Sequence, residues 1–143
     1  MVKGARMFKR IAHICLFTTN LPRLAGFYSK LGCSVQFKFT RKGDDFGTYL
    51  KIAPDSFIEI FEREDAQNTT FPTLNHFSLE IDNIDVLITR LKKAGISFTE
   101  KKLGVDNTWQ IWLTDPDGNR FEVQQYGAKS MQKTGGGAVE ADW

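Results

Sequence analysis

The chain contains stretches of alternating hydrophobic and polar residues, interrupted by segments with helical periodicity. Residues 11–17 alternate in this way and are rich in β-forming side chains, which predicts a strand. Asn20 is a good helix N-cap, apolar residues follow it at helical spacing, and Gly32 predicts the end of that helix. Three further strands are predicted at 34–40, 46–53 and 57–62. The first half of the chain is therefore predicted to have the order βαβββ.

The second half of the chain repeats the first half at a constant offset of 63 residues (76 − 13), without a gap. This register pairs His13 with His76, and Glu59 with Glu122. It predicts a second set of elements, namely a strand at 74–81, a helix at 84–94 and strands at 96–101, 108–114 and 120–126. An ungapped register of this length indicates a duplicated structural unit.

The duplication predicts an α+β fold in a single domain over residues 8–126, built from two βαβββ modules. The modules are expected at residues 8–64 and 71–126, with the polar segment 65–72 as the linker between them. Residues 127–143 form a C-terminal tail that we expect to be extended or mobile. Its last residue, Trp143, is unusual for such a tail and suggests packing on a partner subunit.

Composition and charge exclude several classes of protein. Of the 143 residues, 41% are hydrophobic and 25% are charged, which is typical of a globular domain and excludes a disordered or collagen-like chain. The 19 basic and 17 acidic residues are too evenly balanced to indicate a nucleic acid or a membrane surface as partner. No apolar run approaches the roughly 18 residues of a membrane span, and no signal-peptide core is present. The two cysteines are predicted to be small buried residues and not a disulfide pair, which is typical of a reducing compartment. We therefore expect a cytoplasmic protein.

Four polar residues are predicted to lie on largely apolar strand faces, because side chains two residues apart on a strand share a face. They are the two histidines of the chain, His13 and His76, and the glutamates Glu59 and Glu122, in equivalent positions of the two modules. A carboxylate on such a face needs a compensating partner. One divalent ion would compensate all four, and two imidazoles with two carboxylates suit Zn, Ni, Co, Mn or Fe and leave positions open for a ligand. The alternative is that the duplication preserves these polar positions without a metal.

Aromatic residues near these positions have two possible roles. They either belong to the hydrophobic core or line a substrate pocket that excludes water from the site. The candidates for the pocket wall are Phe46, Phe61, Trp109 and Tyr126.

The motifs around the four polar residues resemble those of the vicinal oxygen chelate superfamily, nearest to lactoylglutathione lyase-like proteins. His13 lies in IAHICLFTTNLPRLAGFYSKLG, Glu59 in SFIEIFE, His76 in LNHFSLEIDNIDVLITRLKKAGI and Glu122 in WLTDPDGNRFEVQQY. The likeness spans residues 8–126. It implies paired βαβββ modules whose curled mixed sheets form a cleft around a metal, with these four residues as its ligands. The set is similar to that of bacterial lactoylglutathione lyases.

The resemblance implies a metal-dependent lyase or isomerase that removes a proton next to a carbonyl of a small substrate chelated through two adjacent oxygens. Glu122 is the expected general base, and Glu59, the equivalent residue of the first module, is the alternative. The expected assembly is a homodimer. The sequence departs from lactoylglutathione lyases where these carry an arginine, because Phe37 and Lys38 stand there, so glutathione is not implied. Alternatives on the same fold are a drug-binding protein of the bleomycin-resistance type, a metal-dependent dioxygenase and a thiol transferase.

Overall fold

The structure, a computed structural model, describes residues 11, 13–66 and 76–135. The chain divides into two compact units, Met1–Gln67 and Asn68–Trp143. Several parts of the sequence predictions lie outside the described residues, namely residues 8–10, most of the linker, the start of the strand at 74–81, and Trp143. In the part of the chain that the structure describes, no helix is long and apolar enough to cross a bilayer.

The first unit has the predicted order βαβββ. Its elements are β1 (His13–Thr18), α1 (Leu21–Lys30), β2 (Ser34–Arg41), β3 (Asp44–Ala53) and β4 (Ser56–Glu62). The strands form one sheet in the order β1-β4-β3-β2. β1 is parallel to β4 and the other neighbours are antiparallel, so the sheet is mixed.

The second unit repeats this arrangement and adds a short helix. Its elements are β5 (Phe77–Glu80), α2 (Ile84–Ala94), β6 (Lys102–Leu103), β7 (Thr108–Thr114), β8 (Arg120–Tyr126) and α3 (Met131–Thr134). The sheet order β5-β8-β7-β6 corresponds strand for strand to that of the first unit, again with the first and last strands parallel. The predicted α+β class with two βαβββ repeats is confirmed.

Equivalent residues fasten the first turn of α1 and of α2. The asparagine N-caps accept hydrogen bonds from the first turn, with Asn20 taking one from the Arg23 N–H and Asn83 one from the Asp85 N–H. The first helical N–H of α1, on Leu21, donates to Glu62 Oε2 at 2.8 Å. In the second unit the Ile84 N–H donates to Gln125 Oε1, also at 2.8 Å. Each helix is thus tied to the last strand of the βαβββ repeat, which sets its position on the sheet.

Each helix packs on one face of the sheet in its own unit and leaves the other face for the polar residues. In the first unit Leu24 and Tyr28 of α1 are fully buried, as are Leu50, Ile58 and Ile60 of the strands beneath them. In the second unit the buried set is Ile84, Leu91, Ile111, Leu113, Phe121 and Val123. Because side chains alternate along a strand, burying residues 58 and 60 or 121 and 123 sends Glu59 and Glu122 to the opposite face.

The predicted strand at 96–101 is wrong, because strand pairing begins only at Lys102 and lasts for two residues. The reason lies at Thr99, whose backbone N–H donates to the Trp112 carbonyl at 3.0 Å. Its hydroxyl oxygen accepts the hydrogen bond from the Trp112 N–H at 2.8 Å, in place of a backbone carbonyl. A side chain that satisfies the neighbouring strand in this way interrupts the backbone ladder.

The C-terminal segment is also more ordered than predicted, because residues 130–134 are bound to the loop before β7. Ser130 is fully buried and its hydroxyl donates to the Asn107 carbonyl at 2.9 Å. The Met131 N–H donates to the Asp106 carbonyl, and the Gln132 amide donates to the Asp106 carboxylate. These contacts start α3 at Met131, where an extended tail was expected.

Candidate functional site

In the first unit a histidine and a glutamate meet on the sheet face opposite α1. His13 lies at the start of β1, and Glu59 lies in β4, directly across from Tyr49 of β3. His13 Nε2 and Glu59 Oε1 are 3.5 Å apart. The Tyr49 hydroxyl is hydrogen-bonded to His13 Nδ1 at 3.1 Å. With a proton on Nδ1 the ring donates to the tyrosine oxygen, which leaves the Nε2 lone pair directed toward Glu59.

The second unit carries the same pair at equivalent positions. His76 precedes β5 and Glu122 lies in β8, with His76 Nε2 and Glu122 Oε1 4.0 Å apart. Trp112 of β7, directly across from Glu122, packs its ring edge-on against the His76 ring at 4.7 Å between centroids. Trp112 thus takes the place that Tyr49 has in the first unit.

Both pairs have the chemistry and spacing of two ligands of a single metal ion. Imidazole nitrogen and carboxylate oxygen are ligands of first-row divalent ions, and bond lengths of about 2.1 Å place adjacent ligand atoms roughly 3.0–3.6 Å apart. The separation in the first unit lies within this range, and that in the second is slightly longer. Each unit supplies two such groups, and the described residues contain no cluster of three or more.

The carboxylate of Glu122 lies in surroundings that disfavour its charge. Its side chain is 12% exposed, and burial raises the pKa of Glu122 above its ordinary value. A hydrogen bond from Ser78 and the neighbouring His76 act in the opposite direction, while Asp106 adds to the rise. Glu122 therefore binds a proton more readily than an exposed glutamate does, as a general base requires.

Cys15 lies beside the first pair and is exposed, so the prediction of a buried residue is wrong, but its thiol is not activated as a nucleophile. Partial burial, together with a hydrogen bond to Glu59 and its negative charge, raises the pKa of the Cys15 thiol to about 11. The thiol therefore stays protonated at neutral pH and donates to the carboxylate. The other cysteine, Cys33, comes just before β2, at the opposite edge of the sheet from β1.

A cleft of about 640 Å³ opens beside the second pair. His76, Trp112 and Glu122 are among the residues that line it. Its other lining residues are mostly polar or charged, namely Lys102, Gly104, Val105, Asp106, Gln110, Arg120 and Gln124. Arg120, Glu122 and Gln124 alternate along β8, which explains why all three line the same face.

The structure brings some of the four predicted pocket residues together. Phe46 and Phe61 stack at 5.5 Å between ring centroids, because a bulge in β3 opposite β2 leaves Phe46 outside the regular alternation. Tyr126 alternates with Glu122 and Gln124 along β8 and therefore lies on their face. Trp109 lies across from Gln125, on the other face of that sheet, under the Lys101 ammonium at 4.9 Å.

Three further residues of the site, Tyr49, Gln110 and Gln124, were not predicted from the sequence. Tyr49 aligns with Trp112 at the offset of 63 residues, and this match of large aromatic residues beside both histidines was a usable signal. Gln110 and Gln124 lie across from each other on β7 and β8, but nothing in the sequence distinguished them from exposed glutamines.

Gly47 supports the aromatic part of the first face, and an alanine there is expected to destabilise the first unit. An added Cβ would lie 2.5 Å from Phe61 Cδ1 and 3.0 Å from the Ile60 carbonyl oxygen. We expect Gly47→Ala to lower the free energy of unfolding by about 1–3 kcal/mol in a urea titration. The matched control is Gly26→Ala in α1, where nothing lies within 4 Å of the added Cβ. That change should raise stability by about 1 kcal/mol. Equal stability of the two variants would contradict the packing of Phe61 on Gly47.

The chain is similar to known proteins over most of its length. A family model described as Glyoxalase/Bleomycin resistance protein/Dioxygenase superfamily matches residues 10–123. The trivalent organoarsenical cleaving enzyme of Bacillus sp. (strain MD1) is 24% identical over 120 residues, which cover 79% of this chain and 71% of that protein. Among solved structures, the glyoxalase family protein from Enterococcus faecalis has a TM-score of 0.71 at 25% identity, over 84% of this chain and 100% of that chain. A bleomycin-binding protein complexed with bleomycin has a TM-score of 0.65 at 20% identity, over 83% and 100% of the two chains.

Proposed function

Because the chain belongs to the glyoxalase/bleomycin resistance protein/dioxygenase superfamily, as its motifs predicted, we propose that it is a metal-dependent lyase or isomerase acting on a small carbonyl compound. The observation that carries this proposal is the pair of equivalent histidine–glutamate contacts, one in each unit. A polar pair repeated in both units suits metal binding better than it suits the apolar core of either sheet.

The proposed ligands of the ion are His13, Glu59, His76 and Glu122. The donor set fits Zn, Ni, Co, Mn or Fe, and the separation within each pair agrees with two ligands of one ion. When bound, such an ion stabilises negative charge that develops on a carbonyl oxygen.

Glu122 is the proposed general base. It accepts the proton when the C–H bond next to the carbonyl breaks, and the electron pair of that bond moves toward the carbonyl oxygen. Return of the proton to the neighbouring carbon gives isomerisation, and return to the opposite face gives epimerisation. Burial favours the protonated form of Glu122. A bound ion would favour the charged form, so the carboxylate would have to loosen from the ion to act as a base. Glu59, the equivalent residue of the first unit, is the alternative base.

The reaction is tested by deuterium exchange in D₂O. The full chain, loaded in turn with Zn²⁺, Ni²⁺, Co²⁺ and Mn²⁺, is incubated with α-hydroxycarbonyl compounds and with thiol adducts of methylglyoxal. We expect proton NMR to show catalysed loss of the C–H signal next to the carbonyl in at least one of them. Absence of exchange throughout this panel, with the metal bound, would contradict the proposal.

Cleavage of a trivalent organoarsenical is a second candidate, suggested by the name of the Bacillus relative. Trivalent arsenic is a soft centre that prefers thiolate ligands. Cys15 lies on the edge strand β1, whereas Cys33 comes just before β2 at the opposite edge. Three strand spacings are about 14 Å, which is too far for the two thiolates to share one arsenic atom. We therefore rank this candidate second. Release of arsenite from a trivalent phenylarsenical would reverse the order.

Tyr49 is proposed to orient His13 toward the metal. Tyr49→Phe removes the hydroxyl that contacts His13 Nδ1 but keeps the ring that stacks on Phe37 at 4.6 Å. We expect metal affinity to fall about 10–100-fold, measured by competition with a chelating dye, because partners of a ligating histidine stabilise its correct ring position. Unfolding of the metal-free variant should match that of the wild type. Unchanged metal affinity would contradict this role.

The proposed assembly is a homodimer. The two histidine–glutamate pairs are proposed to bind one ion. The two pairs come either from one chain or from the modules of two chains. Light scattering combined with size-exclusion chromatography distinguishes a dimer from a monomer. Mixing a His13→Ala protein with a His76→Ala protein then tests for sharing, because metal binding is restored only if two chains contribute to one ion.

A further inference from the structure

The cleft beside Glu122 presents polar groups that the protein itself leaves unsatisfied. Gln124 is only 8% exposed, yet within the described ranges its side-chain amide has no hydrogen-bond partner. The amide of Gln110, which is half-buried and lies directly across on β7, also has no side-chain hydrogen-bond partner there. Neither amide belongs to the fully enclosed polar atoms of the described residues, so both reach solvent through the cleft. A ligand that enters the cleft would replace solvent as the hydrogen-bond partner of both amides.

Arg120 adds a positive charge to this set. Its guanidinium lies 4.5 Å from the centre of the Trp112 ring, which holds the side chain against the wall of the cleft. Among the residues that the structure describes, no carboxylate forms an ion pair with it. Lys102, across from Gln110, also lines the cleft. The acidic groups that face the cleft are Glu122, which is the proposed base, and Asp106, which accepts hydrogen bonds from the Thr108 N–H and the Gln132 amide.

Comparison of the duplicated units indicates that the fold does not require these polar residues. Each has an apolar counterpart or a glycine at the offset of 63 residues: Phe57 for Arg120, Phe61 for Gln124, Phe39 for Lys102 and Gly47 for Gln110. The first unit builds the same four-stranded sheet with an aromatic cluster on that face. The polar set of the second unit therefore serves a purpose other than the stability of the sheet.

We propose that Arg120, with the amides of Gln110 and Gln124, binds an oxyanion of the substrate, either a carboxylate or a phosphoryl group. The guanidinium offers a planar fork that matches two oxygens of such a group, and the glutamine NH₂ groups donate to the remaining oxygens. Arg120 and Glu122 are two residues apart on one strand, about 7 Å along it. The substrate is then a short molecule with the oxyanion at one end and the reacting carbon at the other. This identification of the ligand as substrate rests on the proposed function, whereas the oxyanion site itself does not.

The test uses the full chain labelled with ¹⁵N, without metal and then with Zn²⁺. Acetate and methylphosphonate are titrated separately, and the side-chain NH₂ signals of Gln110 and Gln124 and the Arg120 Nε–H signal are followed. We expect saturable shifts of these signals, and in Arg120→Gln a dissociation constant larger by roughly tenfold or more. Tighter binding of methylphosphonate identifies a phosphoryl group, and tighter binding of acetate identifies a carboxylate.

Arg41→Gln is the matched control, because Arg41 of the first unit also lies over an aromatic ring, at 4.3 Å from the centre of Phe46. It loses the same charge outside the cleft and should bind the anion as the wild type does. Absence of saturable shifts, or equal weakening in the two arginine variants, would overturn the proposal. Binding of the anion by a chain that fails to bind Zn²⁺ would support the oxyanion site and contradict the proposed function. Binding of Zn²⁺ without any shift on anion addition would support the proposed metal site and contradict the oxyanion site.

Discussion

Glu122→Gln is expected to lower kcat of the proton-transfer reaction by about 10²–10⁴-fold at saturating metal, because a correctly placed general base contributes an effect of that size. Glutamine has nearly the same shape and still offers an oxygen to the ion, but it cannot accept the proton. The measurement is the initial rate of C–H loss in D₂O with whichever substrate the exchange panel identifies.

Glu59→Gln is the matched control, because Glu59 is the equivalent residue of the first unit and contacts His13 as Glu122 contacts His76. Both variants should weaken metal binding to a similar degree. At saturating metal, Glu59→Gln should retain most of the rate. If Glu59→Gln loses the rate and Glu122→Gln keeps it, the two glutamates exchange roles. Full activity in both variants would exclude a carboxylate base from this set.

The pH dependence of stability tests the surroundings of Glu122 without a substrate. Because burial raises the pKa of Glu122 above the ordinary 4.5, the folded protein holds this proton more tightly than the unfolded chain does. Its contribution to the free energy of unfolding is present at low pH and is lost as the pH rises from about 4.5 through the raised folded value. The metal-free Glu122→Gln protein should therefore lose less stability over this interval than the wild type, in urea titrations at successive pH values.

Saturation with a divalent ion is expected to stabilise the wild-type chain strongly. At a free metal concentration of about a thousand times Kd the gain in the free energy of unfolding is about 4 kcal/mol, provided that the unfolded chain does not bind the ion. For a chain of this size that corresponds to a rise in Tm of roughly 10 °C or more. The measurement is thermal unfolding with and without the ion, together with elemental analysis of the bound metal.

Histidine variants distinguish one shared ion from two separate weak sites. If all four ligands serve one ion, His13→Ala and His76→Ala should each remove most of the metal-induced rise in Tm, and the double variant should be little worse than either. Elemental analysis should give one ion per chain. Glu80→Gln is the control, because Glu80 shares the face of Glu122 on the adjacent strand but is not a proposed ligand. Two ions per chain, with additive losses in the two histidine variants, would contradict a shared site.

Local signals in the sequence were sufficient where an element depends on its own residues. The helix predicted at 84–94 has those bounds in the structure, because the Asn83 cap and the left-handed Gly95 act within one turn of its ends. The strands at 108–114 and 120–126 also match, since alternation and the turn between them define both. The strand predicted at 96–101 failed because the hydroxyl of Thr99, which bonds a neighbouring strand, replaced a ladder contact.

The candidate site was predictable only in part, because some of its contacts depend on strand pairing and not on neighbouring residues alone. Alternation placed Glu59 and Glu122 on the faces opposite the helices, and both contact the expected histidines. Phe46 depends on a bulge that arises from pairing with β2, so its contact with Phe61 could not be read from alternation alone. Trp109 follows the regular alternation, which puts it on the helix-bearing face of its sheet.

The sequence by itself determined the duplication, the α+β class and the four polar positions, because periodicity, caps and a repeated register are properties of neighbouring residues. Only the tertiary structure decided which polar groups lack partners. Gln124 and Arg120 resemble ordinary surface residues until the strands pair, because which groups line a cleft together depends on residues far apart in the chain. Strand pairing also determined that Tyr49 and Trp112 lie against the two histidines.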